Sequence, residues 1–207
     1  AFSQEAGQWK EAEMGVWNPA VADSVSRNVR VWDSFPEMNL EFSWDGPVNE
    51  RGEAHGVGDL VWQKRGEASY GFSGRVSEYR GEMENGKKQG KGRIILDSGA
   101  IYEGDWVDNR REGRGVYQYA KGAVYDGEFR RGQEHGKGVL LSQEGVVYEG
   151  DFSDGKKHGQ GTITFQNSVS YLSQWENGVE TAASLAERAK VLAKSDTHLN
   201  LGVALDL

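Results

Sequence analysis

The chain has 207 residues, a formal net charge of -8 and no cysteine. The lack of cysteine excludes disulfides, thiolate zinc sites and a cysteine nucleophile. The acidic balance argues against general nucleic-acid binding, which needs a basic face to displace counterions from phosphates. No run of about 18 apolar residues is present, so the sequence predicts no membrane-spanning helix. Its 29 glycines are about twice the usual share, without the Gly-x-y period of collagen.

Residues 1–41 are predicted to be an N-terminal capping segment with one or two strands. Residues 1–13 are polar and are expected to be frayed. Apolar residues alternate over 25–33 and again over 40–44, as in half-buried strands. These two strands are expected to cap the start of a sheet, whose first strand would otherwise offer a bare edge to other chains.

Residues 42–176 are predicted to be an array with a period of 23 residues. In each copy a tyrosine is followed by a glycine two residues on and by a large apolar residue two further, with acidic residues between them. Spacing of two places all three on one face of a strand. Full copies begin at Tyr79, Tyr102, Tyr125 and Tyr148, a truncated copy begins at Tyr171, and a degenerate copy precedes the first. A fixed period of this kind indicates a repeat architecture.

A second strand in each copy begins at a pair of glycines, for example Gly136 and Gly138. Glycine inside a strand often marks the close approach of another group, here an aromatic ring of the neighbouring strand. Turns between copies carry Gly99, Gly122 and Gly145, where a hairpin needs positive φ. The predicted fold is all-β: an elongated single-layer twisted antiparallel sheet of stacked β-hairpins, with one C-terminal α-helix.

A helix is predicted over 177–195, followed by a tail over 196–207. The helix has Thr181 as its N-cap and an apolar stripe at helical spacing, so it is expected to cover the last hairpin. The stripe consists of Ala182, Leu185, Ala186, Ala189, Leu192 and Ala193. In the tail every odd position from Leu199 onward is apolar, which indicates a strand that adds to a sheet edge or lies along the aromatic face.

The repeat resembles the MORN repeat, named for membrane occupation and recognition nexus, whose units read roughly Tyr-Glu-Gly-x-x-x-x-Gly-x-x-x-Gly-x-Gly. The resemblance is strong over 79–175 and loose over 44–78. It implies stacked hairpins used mainly for binding and scaffolding, found alone or attached to enzymes such as lipid kinases and a histone lysine methyltransferase.

The segment before the repeats, around Val16 and Trp44, resembles the lead-in of exported bacterial MORN proteins. Many of those have a cysteine pair near the positions of Met14 and Val48, where this chain has no cysteine. The resemblance therefore implies no disulfide here. It favours a periplasmic or extracellular location over a cytoplasmic one.

The aromatic face of the predicted sheet is the first candidate binding surface. A single layer is not expected to bury this face unless something covers it, and a large exposed apolar area usually marks an interaction site. The predicted partner-binding residues are Tyr79, Tyr102, Trp106, Tyr125, Phe129, Tyr148 and Phe152. Alternatively, stacking of the rings on the glycines satisfies this face internally.

The hairpin turns form the second candidate surface, a basic rim. They carry more basic than acidic residues on an acidic chain, which suits contact with an anionic membrane surface. The predicted lipid-binding residues are Lys87, Lys88, Arg110, Arg111, Arg130, Arg131, Lys156 and Lys157. Alternatively, the rim is merely solvated.

The sequence offers little catalytic or metal-binding chemistry. His55, His135 and His158 occupy equivalent positions, and such positions in successive hairpins lie about 10 Å apart, too far to share one zinc ion. Carboxylates on the polar face are expected to pair across strands with basic residues. The carboxylates are Glu82, Asp105, Glu128 and Asp151, and the partners are Lys91, Arg114 and Lys137. We therefore expect no enzyme activity, no cofactor and no metal site.

These patterns predict a non-catalytic protein-binding or scaffolding module that holds a protein or peptide segment on its aromatic face. Self-association through a sheet end would make a homo-oligomer. Three alternatives stay open: peripheral binding of anionic lipid, an accessory or regulatory role for an attached enzyme, and carbohydrate binding by the same tryptophans. Nucleic acid is not an expected partner.

Overall fold

The computed structural model describes residues 7–18, 23–33, 40–64 and 75–194. The chain divides into two compact units, Ala1–Arg110 and Arg111–Leu207. The described strands of the first unit are β1 (Gln8–Asn18), β2 (Asp23–Asp33), β3 (Leu40–Trp44), β4 (Gly56–Lys64), β5 (Arg75–Glu84), β6 (Lys87–Leu96) and β7 (Ile101–Val107). The second unit has β8 (Arg110–Gln118), which starts at the boundary, β9 (Val124–Arg130), β10 (Gln133–Leu141), β11 (Val147–Ser153), β12 (Lys156–Thr164), β13 (Ser170–Glu176), β14 (Val179–Glu180) and α1 (Ala182–Lys194).

Strands that follow one another in the chain pair with one another in both units. In the first unit β3 to β7 form an antiparallel sheet in chain order. In the second unit β8 to β14 do the same. The predicted all-β fold of hairpins with one C-terminal helix is therefore confirmed.

The two glycines of each pair are needed for different reasons. Gly136 lies at a register shift between β9 and β10 and has a φ of 60°, a conformation that glycine adopts readily and that suits a β-bulge. The equivalent Gly90, Gly113 and Gly159 have φ values of 61°, 62° and 65°. A Cβ on Gly138 would instead collide with the ring of Tyr125. The predicted close approach of a ring is confirmed for the second glycine, whereas the bulge at the first was not anticipated.

The N-terminal segment differs from the prediction. β1 begins at Gln8, inside the region expected to be frayed, and pairs with β2 from Gln8 opposite Asp33 to Asn18 opposite Asp23. β2 lies against hairpin turns instead of extending the sheet, with the N–H of Arg30 donating to Gly52 O at 2.8 Å. The strand predicted over 40–44 is present as β3 and pairs with β4 at the start of the sheet. Of the two strands predicted to cap the start of the sheet, only the one over 40–44 pairs with it.

The C-terminal helix is present, but it packs through a different face from the predicted one. Thr181 acts as the N-cap, because its Oγ1 accepts a hydrogen bond from Ser184 N at 3.4 Å. Ser184 is buried and donates to the carboxylate of Glu180, which also accepts from the hydroxyl of Tyr171. Leu185 of the predicted apolar stripe is 45% exposed. The helix therefore packs through the side that carries Ser184, which reaches the buried carboxylate of Glu180. The tail over 196–207 lies outside the described residues.

Candidate functional site

The tyrosines that open the repeats are anchored in the same way. Each hydroxyl donates a hydrogen bond to the main-chain oxygen three residues on, at 2.7 to 2.9 Å. The pairs are Tyr79 with Glu82, Tyr102 with Asp105, Tyr125 with Glu128 and Tyr148 with Asp151. Burial, aided by the Asp151 carboxylate, raises the pKa of Tyr148 to about 12. The rings of Tyr79, Tyr125 and Tyr148 lie against Gly92, Gly138 and Gly161, the second glycine of each hairpin.

Aromatic rings meet edge to face both within one strand and between neighbouring hairpins. In the second unit the ring centres lie 4.8 to 5.8 Å apart, in the pairs Tyr125–Phe129, Tyr125–Phe152, Tyr148–Phe152 and Tyr148–Trp175. In the first unit the distances are 5.5 and 5.2 Å, in the pairs Tyr79–Trp106 and Tyr102–Trp106. Such pairs contribute about 0.5–1.5 kcal/mol each beyond their buried area. This face, which we call the tyrosine face, is the core of each unit.

All seven predicted partner-binding residues lie buried on the tyrosine face. Their exposed fractions run from 0% to 6%. The residues are Tyr79, Tyr102, Trp106, Tyr125, Phe129, Tyr148 and Phe152. These side chains pack against the glycines and the neighbouring rings, so they offer almost no area to a partner. Their burial favours the alternative that this face is satisfied internally.

Charged side chains cover the tyrosine face at steps of 23 residues. In the first unit the Nζ of Lys88 lies 5.5 Å from the ring centre of Tyr79 and 5.6 Å from that of Trp106. In the second unit the guanidinium of Arg111 lies 5.3 Å from the ring centre of Phe129. Glu134 accepts a hydrogen bond from the hydroxyl of Tyr119 at 2.7 Å. The polar surface above the rings is therefore built from the repeats themselves.

Lys157 is the most enclosed member of this series and is 7% exposed. Its Nζ lies 5.0 Å from the ring centre of Tyr148 and 4.6 Å from that of Trp175. Burial lowers the pKa of Lys157 to about 8, against the opposing attraction of Glu180. The two rings attract the ammonium. Burial nevertheless makes Lys157 easier to deprotonate than a lysine in solvent.

The eight predicted lipid-binding residues do not form one basic rim. Three place their charged groups over rings of the tyrosine face: Lys88, Arg111 and Lys157. Two form ion pairs, Lys87 with Asp108 at 3.2 Å and Arg130 with Asp154 at 3.8 Å. The other three stay at the turns, Arg131 and Lys156 exposed and Arg110 half-buried. The basic charge available at the turns is smaller than the sequence suggests.

The turns of successive hairpins are joined by main-chain hydrogen bonds of 2.9 to 3.0 Å. The N–H groups of Asn109, Gly132, Gly155 and Gly178 donate to the carbonyl oxygens of Lys88, Arg111, Glu134 and Lys157. Asn109 takes a glycine position in this series and has a φ of 66°. Its side-chain Oδ1 accepts from the N–H of Lys88 at 2.7 Å, which compensates for the strained backbone.

Two of the predicted ion pairs of the polar face are present. Lys91 lies 2.5 Å from Asp105, and Lys137 lies 2.6 Å from Asp151. Such exposed pairs contribute at most about 1 kcal/mol each. Among the described residues no group of His, Asp and Glu side chains is placed to hold a metal ion, and no helix there is long and apolar enough to cross a membrane.

The profile of the MORN repeat matches four consecutive segments of the chain, 79–101, 102–124, 125–147 and 148–169. Each segment starts at the tyrosine that opens its repeat. Residues 79–169 are four MORN repeats. A comparison with curated proteins gives no significant match. MORN repeats are in general non-catalytic modules that bind proteins or membrane lipids.

The opposite face of the MORN sheet carries a patch that the sequence analysis did not single out. Six residues of the second unit lie in one row across β8 to β13. In order across the strands they are Val116, Asp126, Val139, Glu149, Thr162 and Leu172. Leu141 lies beside Val139 on the same strand and face. The signal available in the sequence was a valine directly after the second glycine of two repeats, as in Gly115-Val116 and Gly138-Val139.

The aliphatic side chains of this row are open to solvent. Val116 is 40% exposed, Val139 38%, Leu141 41% and Leu172 78%. Asp126 and Glu149, which flank Val139, are exposed as well. We call the set Val116, Asp126, Val139, Leu141, Glu149 and Leu172 the outward patch.

Proposed function

We propose that the chain is a non-catalytic protein-binding and scaffolding module that holds its partner on the outward patch. One contrast supports this proposal: the seven aromatic residues predicted to bind a partner are at most 6% exposed, whereas Leu172 on the opposite face is 78% exposed. Exposed apolar side chains that lie together on one face of a sheet, especially with polar residues around them, are typical of an interaction site.

Binding on the tyrosine face has less support. A partner there would have to displace charged groups such as Lys88 and Arg111 from the rings before touching an aromatic surface. It would also break ring contacts that stabilise the hairpins. The aromatic residues serve the proposed function indirectly, because they hold the strands of the outward patch in register.

Quantitative crosslinking in an extract of the source cells tests the proposal. The variant Leu141→Asp/Leu172→Asp adds two charges within the patch, and the control Val107→Asp/Leu185→Asp adds the same charge at positions that are 44% and 45% exposed outside it. We expect the first variant to lose the proteins captured by the wild type and the control to keep them. Capture that survives in a patch variant with an unchanged circular dichroism spectrum contradicts the proposal.

Binding of anionic lipid is a second candidate function. It is supported by Arg131 and Lys156, which remain exposed at the turns. It is weakened because five of the other six predicted residues are held over rings or in ion pairs. Flotation with anionic liposomes tests it. Arg131→Gln/Lys156→Gln should abolish flotation if these residues carry the contact, and equal flotation of both proteins excludes that role.

A further inference from the structure

We infer that the outward patch binds a basic amphipathic helix laid across strands β8 to β13. This inference rests on the proposed function and names the kind of partner that the same surface takes. Two features support it: apolar and acidic residues alternate over the first four positions of one row, from Val116 to Glu149, and the two carboxylates of that row have a spacing that suits a helix.

The carboxylates of the patch are free to meet a cation. Asp126 and Glu149 are the cross-strand neighbours of Val139 on its two sides. Within the described part of the chain neither carboxylate lies in an ion pair or a side-chain hydrogen bond. In the adjacent row, by contrast, Asp151 is paired with Lys137 at 2.6 Å. With a net charge of -8 on the chain, the partner that complements this row is basic.

Apolar residues lie beside the two carboxylates and at both ends of their row. Val116 and Leu172 occupy the ends. Leu141, in the next row, has Val124 and Val147 as its cross-strand neighbours. A partner that reaches both carboxylates therefore covers an aliphatic strip along their length, which requires an amphipathic segment instead of a purely basic one.

The spacing of Asp126 and Glu149 selects a helix. They lie on β9 and β11, two strands apart, which corresponds to about 10 Å. Residues i and i+7 of an α-helix lie on one face about 10.5 Å apart. Residues of an extended segment that share a face are about 7 or 13 Å apart. Apolar residues at i+3 and i+4 of such a helix fall between the two cations, over Val139 and Leu141.

A second copy of this chain is a poor occupant of the patch. Two outward patches related by a two-fold axis would bring Asp126 and Glu149 of both copies together without a cation between them, and like charges at short distance repel. The row from Val116 to Leu172 crosses six strands, or about 24 Å. A helix of about 16 residues spans that distance.

The inference is tested by selecting binders to the purified full chain from a displayed library of 18-residue helices with randomised surface positions. We expect enrichment of Lys or Arg at i and i+7 with apolar residues at i+3 and i+4. A selected peptide should bind at least tenfold more weakly to Asp126→Asn/Glu149→Gln and when NaCl is raised from 50 to 500 mM. The control Glu50→Gln/Glu84→Gln, which removes two exposed carboxylates of the first unit, should bind like the wild type.

Selected helices with acidic or uncharged patterns, or binding that ignores Asp126→Asn/Glu149→Gln, overturn the inference. So does a selection that yields no binder sensitive to this variant. If the chain dimerises and the dimer is lost in Asp126→Asn/Glu149→Gln, the outward patch binds a second copy, and the inference of a helical partner is overturned. If these results coincide with loss of crosslinked proteins in Leu141→Asp/Leu172→Asp, the proposed function stands and only the helical partner is excluded.

Discussion

The ammonium of Lys157 lies 4.6 Å from the centre of the Trp175 ring, in a position where only 7% of the lysine is exposed. The second ring beside it, that of Tyr148, belongs to the preceding strand. A cation over aromatic faces is attracted to them, but burial of the charge costs free energy and lowers the pKa of Lys157 to about 8. This position links the stability of the last MORN repeat to pH.

We expect the free energy of unfolding to rise as the pH is raised from about 8 to 10. Lys157 has a pKa of about 8 in the folded chain and 10.5 in the unfolded one, so in this window the unfolded chain binds more protons. Stability then increases by up to about 1.4 kcal/mol per pH unit. Urea unfolding at several pH values measures it. Lys157→Met should abolish the rise, whereas Lys156→Met, at an exposed neighbour, should keep it; equal curves for both variants contradict the assignment.

Above pH 10 the tyrosines should reverse this trend. Burial raises the pKa of Tyr148 to about 12, and burial together with nearby carboxylates raises the pKa of Tyr79, Tyr125 and Tyr171. A folded pKa above the unfolded value of 10.0 means that stability is lost as the pH rises past 10, because only the unfolded chain releases these protons. Absorbance at 295 nm and circular dichroism should therefore change together. Ionisation of most tyrosines near pH 10 in a chain with unchanged dichroism would contradict the burial of these rings.

Gly161→Ala should destabilise the chain by about 1–3 kcal/mol, the usual cost of overpacking a core. The backbone of Gly161 has no positive φ, and its added Cβ would collide with the ring of Tyr148. The penalty should therefore shrink in a Tyr148→Leu background, which a double-mutant cycle of urea unfolding measures. If Gly161→Ala destabilises the wild type and the Tyr148→Leu variant equally, the collision with the Tyr148 ring is not the cause of the loss.

Asn109 allows a matched test of the turn ladder. Asn109→Ala should cost about 1–2 kcal/mol, because alanine resists a φ of 66° and lacks the oxygen that accepts from Lys88 N. Asn109→Gly loses the same hydrogen bond but relieves the backbone, so it should cost less. If Asn109→Gly is as unstable as Asn109→Ala in thermal unfolding, the backbone conformation is not the reason for asparagine at this turn.

The hairpins were predictable from the sequence because their signal is local and repeated. The spacing of Tyr125, Gly127 and Phe129 fixes one face of a strand, and the positive φ of Gly99, Gly122 and Gly145 follows from the need for a tight turn. The ring lying over Gly138 follows from the same pairing, since only a bare backbone admits it. These features depend on a few neighbouring residues.

The charged cover of the tyrosine face was missed, although its period of 23 residues is visible in the sequence. Gly150 pairs with Gly161, but Phe152 pairs with Lys157, and the ladder is irregular between them. Simple alternation counted back from Gly161 already places Lys157 on the same face as Gly161, and the two extra residues at the irregularity keep it there. Lys157 was instead grouped with the turn residues by its charge, so its position over the rings was missed.

β1 was missed for a different reason. Its residues around Trp9, Lys10 and Glu11 lack the apolar alternation of a half-buried strand. The hairpin is held by main-chain hydrogen bonds to turns, such as Trp32 N to Gly86 O at 2.9 Å, and by the Trp9 ring against Gly86. Contacts between segments distant in the chain leave no periodic signal in either segment.

The tyrosine face is closed to solvent, whereas the opposite face of the sheet is open. Since the chain has no cysteine, single substitutions report on this directly through their rate of reaction with a maleimide. We predict that Val139→Cys, at a position 38% exposed, reacts nearly as fast as in the unfolded chain, and that Ile163→Cys, at a position 0% exposed beside Tyr148 and Tyr171, reacts at least a hundredfold more slowly. Equal rates in the folded chain, or faster reaction at position 163, would contradict the account.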